Sequence, residues 1–269
     1  MKNFEILLKK ELFLLDMDGT IYHDDVLIDG ALDFINLLVK RNLKYLFMTN
    51  NSSKSSDDYL IKLNKLKVPA EPHNIFTSGQ ASALYLNNIK KNARLYVVGT
   101  SSLKNELKKY GFDICEEIDN NIDFLLVGYD TELTYKKLTD ACELLCNDIP
   151  FYATNPDVVC PAKNGRYLPD CQTMCNMLTQ ATGKEPFYIG KPRKEMALTA
   201  VDFKKSTVNK SVLIGDRLYT DIACGKNADI TSILVLSGES QINDIKKYNI
   251  EPDIIINNIK DIYDYLSKT

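Results

Sequence analysis

Apolar residues recur along this chain in two alternating patterns: short unbroken runs, and stretches spaced for one face of a helix. Residues 12–15 form a run that ends at an acidic, glycine-containing turn, the pattern of a strand buried on both faces as in a parallel sheet. Ala31, Leu32, Ile35, Leu38 and Val39 then fall at helical spacing, and a second apolar run over 43–48 leads into Thr49-Asn50-Asn51-Ser52-Ser53. A helix from about Ser56 to Lys67 completes a β-α-β-α series, which predicts a parallel sheet with crossover helices. The same alternation returns near the C-terminus. Strands are predicted at 211–215, 233–236 and 253–256, with a helix running to about Lys226 and another over 258–267. Between these halves, strands are expected near 94–98, 123–128 and 150–153, and helices near 101–110, 134–147 and 171–182. The expected organisation is a core of residues 1–79 plus 185–269, with 80–184 inserted as a second α/β domain. Its borders fall at the turn-like Thr77-Ser78-Gly79 and Thr182-Gly183-Lys184-Glu185-Pro186.

Chemistry concentrates where the strands end. Asp16-Met17-Asp18-Gly19-Thr20 follows the first strand directly, and in an open α/β sheet ligands bind beyond the carboxyl ends of strands. Two carboxylates this close, at the end of a buried strand, are costly unless a cation lies between them or a proton is shared. One Asp-Gly alone would read as a turn; two Asp with Gly and Thr read as a site. Gly215-Asp216-Arg217-Leu218-Tyr219-Thr220-Asp221 has the same context. If both strands share a sheet, Asp16, Asp18 and Asp216 converge, and hard oxygen donors without His or Cys select Mg²⁺. Thr49-Asn50-Asn51 offers a hydroxyl, amides and backbone N–H groups to an anion. Gly190-Lys191-Pro192 adds a cation at another strand end. Together the four elements describe phosphoryl transfer, with Asp16 as an in-line nucleophile and Thr49 and Lys191 holding phosphate oxygens.

Composition narrows the alternatives. Of 269 residues, 33 are Lys or Arg and 36 Asp or Glu; the net charge of -3 argues against binding nucleic acid through bulk positive charge. Only two histidines are present, His23 and His73, so a multi-histidine zinc site is excluded, and neither lies near a G-x-S-x-G elbow. No P-loop and no G-x-G-x-x-G occurs. The seven cysteines contain no C-x-x-C and read as free thiols of a reducing cytosol. Cys142/Cys146 and Cys171/Cys175 have helical spacing and are expected to fill buried helix faces. The opening residues Met1-Lys2-Asn3 lead into too short an apolar run for a secretory signal, and no stretch is long and apolar enough to cross a bilayer. The expectation is a soluble cytoplasmic protein with no nucleic-acid or membrane partner.

The ordered motifs Asp16-x-Asp18-Gly19-Thr20, Thr49-Asn50-Asn51, Gly190-Lys191-Pro192 and Gly215-Asp216-x4-Asp221 resemble those of the haloacid dehalogenase superfamily. The long insertion, with Thr154-Asn155-Pro156-Asp157, is similar to the class IIA cap of the NagD-like, p-nitrophenylphosphatase branch. The resemblance implies an α/β fold with a Rossmann-like, doubly wound parallel sheet as core and an inserted α/β cap. It implies a phosphoric monoester hydrolase: Asp16 forms an aspartyl-phosphate, Asp18 is acid and then base, and Thr20 orients Asp18. It also implies Mg²⁺ held by Asp16, the Asp18 backbone carbonyl and Asp216, with Asp221 in support. Thr49, Asn50 and Lys191 would bind phosphate, and Asn155 and Asp157 would face the substrate from the cap. The partner implied is a small phosphorylated metabolite, and a homodimer through the cap is compatible with the branch. Asp229 stands where relatives usually have Gly. The cap segment Cys160–Asp170, with Lys163, Arg166 and Tyr167, lacks the small-residue run common in relatives, so it does not name the substrate. Two competing readings are a phosphomutase, which the cap position disfavours, and a non-catalytic binding protein on the same fold.

Overall fold

The apolar runs of the sequence lie side by side as parallel strands in a computed structural model, which describes residues 4–162 and 165–269. Met1-Lys2-Asn3, at the head of the segment read for a leader, and Lys163 and Asn164 of the cap segment lie outside the described residues. The chain divides into two compact units. One comprises Met1–Thr49, Asp57–Phe76 and Lys191–Thr269; the other comprises Asn50–Ser56 and Thr77–Gly190.

The first unit carries a six-stranded sheet in the order Ile254–Ile256, Thr231–Val235, Ser211–Gly215, Leu12–Asp16, Lys44–Thr49, Ile75–Thr77. Leu12–Asp16 runs parallel to both of its neighbours, and Thr231–Val235 and Ile254–Ile256 continue the parallel series. Leu12, Phe13, Leu14 and Leu15 are all fully buried, as an unbroken apolar run in a sheet covered on both faces requires. The helices Ala31–Lys40 and Lys260–Leu266 cover part of the sheet with Phe34, Ile35, Leu38, Ile262 and Leu266 in one apolar cluster. From Leu12–Asp16 the chain winds outward to Ile75–Thr77 on one side. It later resumes at Ser211–Gly215 and winds outward on the other. The crevice at that reversal is where a doubly wound sheet binds its ligand.

The second unit has a five-stranded sheet in the order Phe187–Tyr188, Phe151–Ala153, Phe124–Val127, Arg94–Val98, Asp113–Cys115, parallel throughout. Its helices start on side-chain caps: Thr100 for Ser101–Lys109, Thr134 for Tyr135–Cys146 and Asp170 for Cys171–Thr182. Thr77-Ser78-Gly79 is not a turn. Thr77 caps the helix Ser78–Ile89 in a reciprocal box with Gln80. An antiparallel hairpin pairs Val159–Ala162 with Arg166–Pro169 and leaves Arg166 and Tyr167 exposed.

Three local expectations need revision or gain detail. The helix after Gly215 opens with a wide turn over Leu218–Ile222, closed by Ile222 N–H donating to the Arg217 carbonyl, before Ala223–Asn227 becomes α-helical. Asp229 takes a φ of 55°, the left-handed conformation its side chain tolerates better than most. All seven cysteines are free; Cys171 and Cys175 fill a buried helix face, but Cys142 is half-buried and Cys146 exposed, because their helix turns that flank outward. Among the described residues no helix is long and apolar enough to cross a membrane.

Candidate active site

Asp16 ends its strand at the sheet's reversal point, and Asp216 follows the last residue of the adjacent strand, which is paired so that Leu15 lies opposite Ile214. Parallel register therefore brings both carboxylates to one edge. One carboxylate oxygen from each of Asp16, Asp216 and Asp221 lies within 4.8 Å of the other two. Asp221 arrives from the wide turn, which carries its side chain back toward the strand end, where Oδ2 accepts from Arg217 N–H at 3.1 Å.

Lys191 enters this acidic group from a distant part of the chain. Its ammonium lies 2.6 Å from Asp16 Oδ1, 2.6 Å from Asp221 Oδ1 and 3.5 Å from the Met48 carbonyl, and the residue is only 3% exposed. Burial opposes the lysine's charge, but Asp16 and Asp221 raise its pKa above the ordinary lysine value. Burial raises the Asp16 carboxyl well above the usual carboxylate range; Asp221 adds to the shift and Lys191 opposes it. Asp216 is pushed up to about 6 by burial first and the charge of Asp221 second. One ammonium among three carboxylates leaves an excess of buried negative charge.

Asp216 shows where that excess is felt. Its Oδ2 accepts the Glu239 N–H at 2.7 Å, whereas Oδ1 is buried with no hydrogen-bond partner among the described residues. Space for this carboxylate is made by two glycines. A Cβ on Gly238 would fall 2.0 Å from Asp216 Oδ2, and one on Gly19, which holds a φ of +82°, would fall 2.5 Å away. An orphaned buried carboxylate oxygen beside two further carboxylates, with no soft ligand in the group, is the donor set of a hard divalent cation.

The remaining expected residues are placed as follows. Asp18 lies just beyond the strand with a side chain 62% exposed, and its Oδ1 is 3.9 Å from Lys62 Nζ. Thr20 is fully buried and its hydroxyl has no hydrogen-bond partner among the described residues, so it makes no orienting bond to Asp18 here. Thr49 is buried at the end of its strand, and the following helix starts only at Ser56, so Thr49-Asn50-Asn51 opens a loop and not a helix. Within the second unit the Asn50 carbonyl accepts from Ser78 Oγ at 2.5 Å. In that unit too, Asn155, expected to face substrate, is fully buried. Its Nδ2 donates to Asp157 Oδ2 at 3.0 Å and Asp170 Oδ1 at 3.2 Å, and Thr154 Oγ1 donates to its Oδ1 at 2.8 Å. Asp157 itself is half-buried.

Sequence reasoning missed the segment after Thr231–Val235. Ser237 Oγ donates to the Gly19 carbonyl at 2.8 Å, and Glu239 supplies the N–H on Asp216. The available signal was Ser-Gly at the end of another strand of the same sheet. It also missed Lys62, for which an isolated lysine on a helix provides no signal.

A fold of this topology, with acidic strand ends converging on a buried lysine, matches known enzymes along almost its whole length. A haloacid dehalogenase-like hydrolase model matches residues 13–113, and an HAD-hydrolase-like model matches residues 188–262. The chain belongs to the haloacid dehalogenase-like hydrolases. It is 33% identical over 239 residues to the 5'-nucleotidase YutF of Bacillus subtilis, covering 87% of this chain and 92% of that protein. Among solved structures, a 4-nitrophenylphosphatase from Thermotoga maritima superposes with a TM-score of 0.90 at 37% identity, over 96% of this chain and 98% of that one. NagD of E. coli K-12 superposes with a TM-score of 0.85 at 30% identity, over 93% of this chain and 97% of its own.

Proposed function

We propose that this chain is an Mg²⁺-dependent phosphatase that releases inorganic phosphate from a small phosphomonoester through an aspartyl-phosphate on Asp16. The observation that carries the reading is the group Asp16, Lys191, Asp221 and Asp216, with one Asp216 oxygen buried and unpartnered among the described residues. The names of the relatives support the reaction class, since they are a 5'-nucleotidase and a 4-nitrophenylphosphatase.

A divalent cation held by Asp16, the Asp18 carbonyl and Asp216 would offset the negative charge of the phosphoryl group and of the carboxylates around it. Lys191 does related work from the other side: its ammonium opposes the upward shift that burial and Asp221 impose on Asp16 and so favours the ionised form a nucleophile needs. A free oxygen of Asp16 attacks phosphorus while the ester P–O bond breaks, and the Asp18 carboxyl gives its proton to the departing alkoxide. Asp18, now a carboxylate, takes a proton from water. The water oxygen attacks phosphorus, the Asp16–phosphorus bond breaks, and inorganic phosphate leaves. The exposure of Asp18 suits this role, because it must reach both a leaving group and water. Thr49 and Asn50 are assigned to the phosphate oxygens, and the inserted unit, with Asp157 braced by Asn155, to selecting the leaving group.

The test is phosphate release from p-nitrophenyl phosphate, nucleoside monophosphates, sugar phosphates, phosphoglycolate and pyridoxal phosphate, with and without Mg²⁺. Release that needs Mg²⁺ and vanishes in Asp16→Asn is expected. Substantial turnover by folded Asp16→Asn protein would refute the nucleophile assignment.

A further inference from the structure

The carboxyl edge of the second unit's sheet, where a parallel sheet ordinarily takes its ligand, is met by the chain's own segment Asn50–Ser56. Three neighbouring strands hold it with the residues just past their ends. Thr100, after Arg94–Val98, donates its hydroxyl to the Ser53 carbonyl at 3.0 Å. Tyr129, after Phe124–Val127, donates its N–H to Ser52 Oγ at 2.9 Å. Thr154, after Phe151–Ala153, brings its Oγ1 to 2.8 Å from the same Ser52 Oγ. Two glycines leave room for this approach: a Cβ on Gly128 would fall 2.9 Å from Ser52 Oγ, and one on Gly190 would fall 2.8 Å from Asn50 Oδ1.

Ser52, Thr154 and Asn155 are all fully buried, so their polar atoms must be satisfied from within the protein. Counting protons then fixes who donates to whom. Asn155 Nδ2 faces the carboxylates of Asp157 and Asp170, so its Oδ1 is the atom turned to Thr154, and that oxygen can only accept. Thr154 has one hydroxyl proton and gives it to Asn155 Oδ1 at 2.8 Å. The Ser52 hydroxyl therefore donates to Thr154 Oγ1, while its own oxygen accepts from Tyr129 N–H. The result is a chain that runs one way, from Tyr129 N–H through Ser52, Thr154 and Asn155 to two carboxylates. Turning any member would leave a buried donor or acceptor unpaired, so the chain stiffens as a unit.

We infer that Ser52 is a positioning residue for Asn50: locked between Tyr129 and Thr154, its hydroxyl holds the loop in the form that meets a phosphate. This rests on the assignment of Asn50 to the phosphate oxygens. Asn50 lies two residues before Ser52, and its own carbonyl is held by Ser78 Oγ at 2.5 Å, so the loop is pinned on both sides of Asn51. Ser52 acts through Asn50, because its proton is committed to Thr154. A residue that holds phosphate oxygens alike before and during the transfer contributes to binding and not to turnover, so loosening it should raise KM and leave kcat in place.

The experiment compares wild type, Ser52→Ala, Thr154→Val, Thr154→Ser and the double variant Ser52→Ala/Thr154→Val. For each it measures the dissociation constant of inorganic phosphate in Mg²⁺ by calorimetry, that of Mg²⁺ alone, kcat and KM on p-nitrophenyl phosphate, and thermal unfolding. Ser52→Ala is expected to weaken phosphate binding and raise KM by roughly tenfold, short of the about hundredfold that misplacement by an ångström can cost. Its kcat and Mg²⁺ affinity should stay within about twofold of wild type, since a loop that holds phosphate alike in both states touches neither. Thr154→Val should produce the same loss from the other end of the chain, and Thr154→Ser, which keeps the hydroxyl, should recover most of it. Because both substitutions cut one chain, the double variant should lose little more than either single variant. Should Ser52→Ala protein not fold, Thr154→Val against Thr154→Ser carries the comparison. Unchanged phosphate affinity in the folded variants, an equal loss of Mg²⁺ affinity, a loss confined to kcat or to thermal stability, or fully additive losses would each overturn the inference and leave the phosphatase reading standing. If instead wild type neither bound inorganic phosphate nor hydrolysed the ester, that reading would fall, and this inference with it.

Discussion

Replacing Asp216 by Asn should make the protein more stable in the presence of a chelator and less responsive to Mg²⁺. Asn can keep the bond to Glu239 N–H through its amide oxygen, so the main change is loss of a buried charge. Burial and Asp221 raise the Asp216 carboxyl from 3.8 to about 6. Between those values the folded chain binds more protons at this group than the unfolded chain does, so stability falls as pH rises through the window. Above it the deficit is complete. A shift of about two units at about 1.4 kcal/mol each gives about 3 kcal/mol. Asp16 adds to the effect, because the Asp216 charge is one cause of its own upward shift. Urea unfolding in chelator should therefore find Asp216→Asn more stable than wild type by up to about 3 kcal/mol at pH 7.5, the gap closing toward pH 4. Saturating Mg²⁺ should stabilise wild type by RT ln(1 + [Mg²⁺]/Kd) and the variant far less. If Asp216→Asn is no more stable than wild type in chelator at pH 7.5, or the gap does not change with pH, the account of strained, cation-seeking carboxylates is wrong.

Three further outcomes are expected. Asp16→Asn should abolish steady-state phosphate release while thermal unfolding stays cooperative, since the isosteric amide keeps the packing but cannot attack phosphorus. Lys191→Met removes the partner of two buried carboxylates and should cost about 3–5 kcal/mol in urea unfolding under chelator, part of it recovered by Mg²⁺. Gly238→Ala would drive a methyl group to within 2.0 Å of Asp216 Oδ2, so its apparent Mg²⁺ affinity, measured by activation or calorimetry, should fall by roughly tenfold or more as the carboxylate is displaced.

Much of the fold was legible because its strands are buried on both faces and its helices on one. The run over 94–98 and the helix over 171–182 match Arg94–Val98 and Cys171–Thr182 residue for residue. The failures have physical causes. Ser78–Ile89 escaped notice because Ser78, Gly79, Gln80, Ala81, Ser82 and Ala83 are all buried, so no polar face marks a helical period and the glycine looks like a breaker. Ile75–Thr77 and Asp113–Cys115 are too short for any periodicity to register. The hairpin Tyr22–His23 with Val26–Leu27, which puts the Tyr22 ring beneath Lys62, is shorter still.

The sequence by itself determined which residue types stand at strand ends, because the switch from apolar run to Asp, Thr or Gly is a local event written in adjacent letters. It therefore pointed to the kind of chemistry to expect: hard oxygen donors, a carboxylate suited to act as nucleophile and a polar loop suited to meet a phosphate. Only the tertiary structure decided which of these groups meet. Lys191 and Asp16 are 175 positions apart and become neighbours because strand order, not chain order, sets the distances. The same is true of the orphaned Asp216 oxygen, the shifted carboxyls and the Lys62–Tyr22–Asp18 contact. Desolvation and charge coupling depend on everything packed around a group, and that neighbourhood exists only once the sheet has formed.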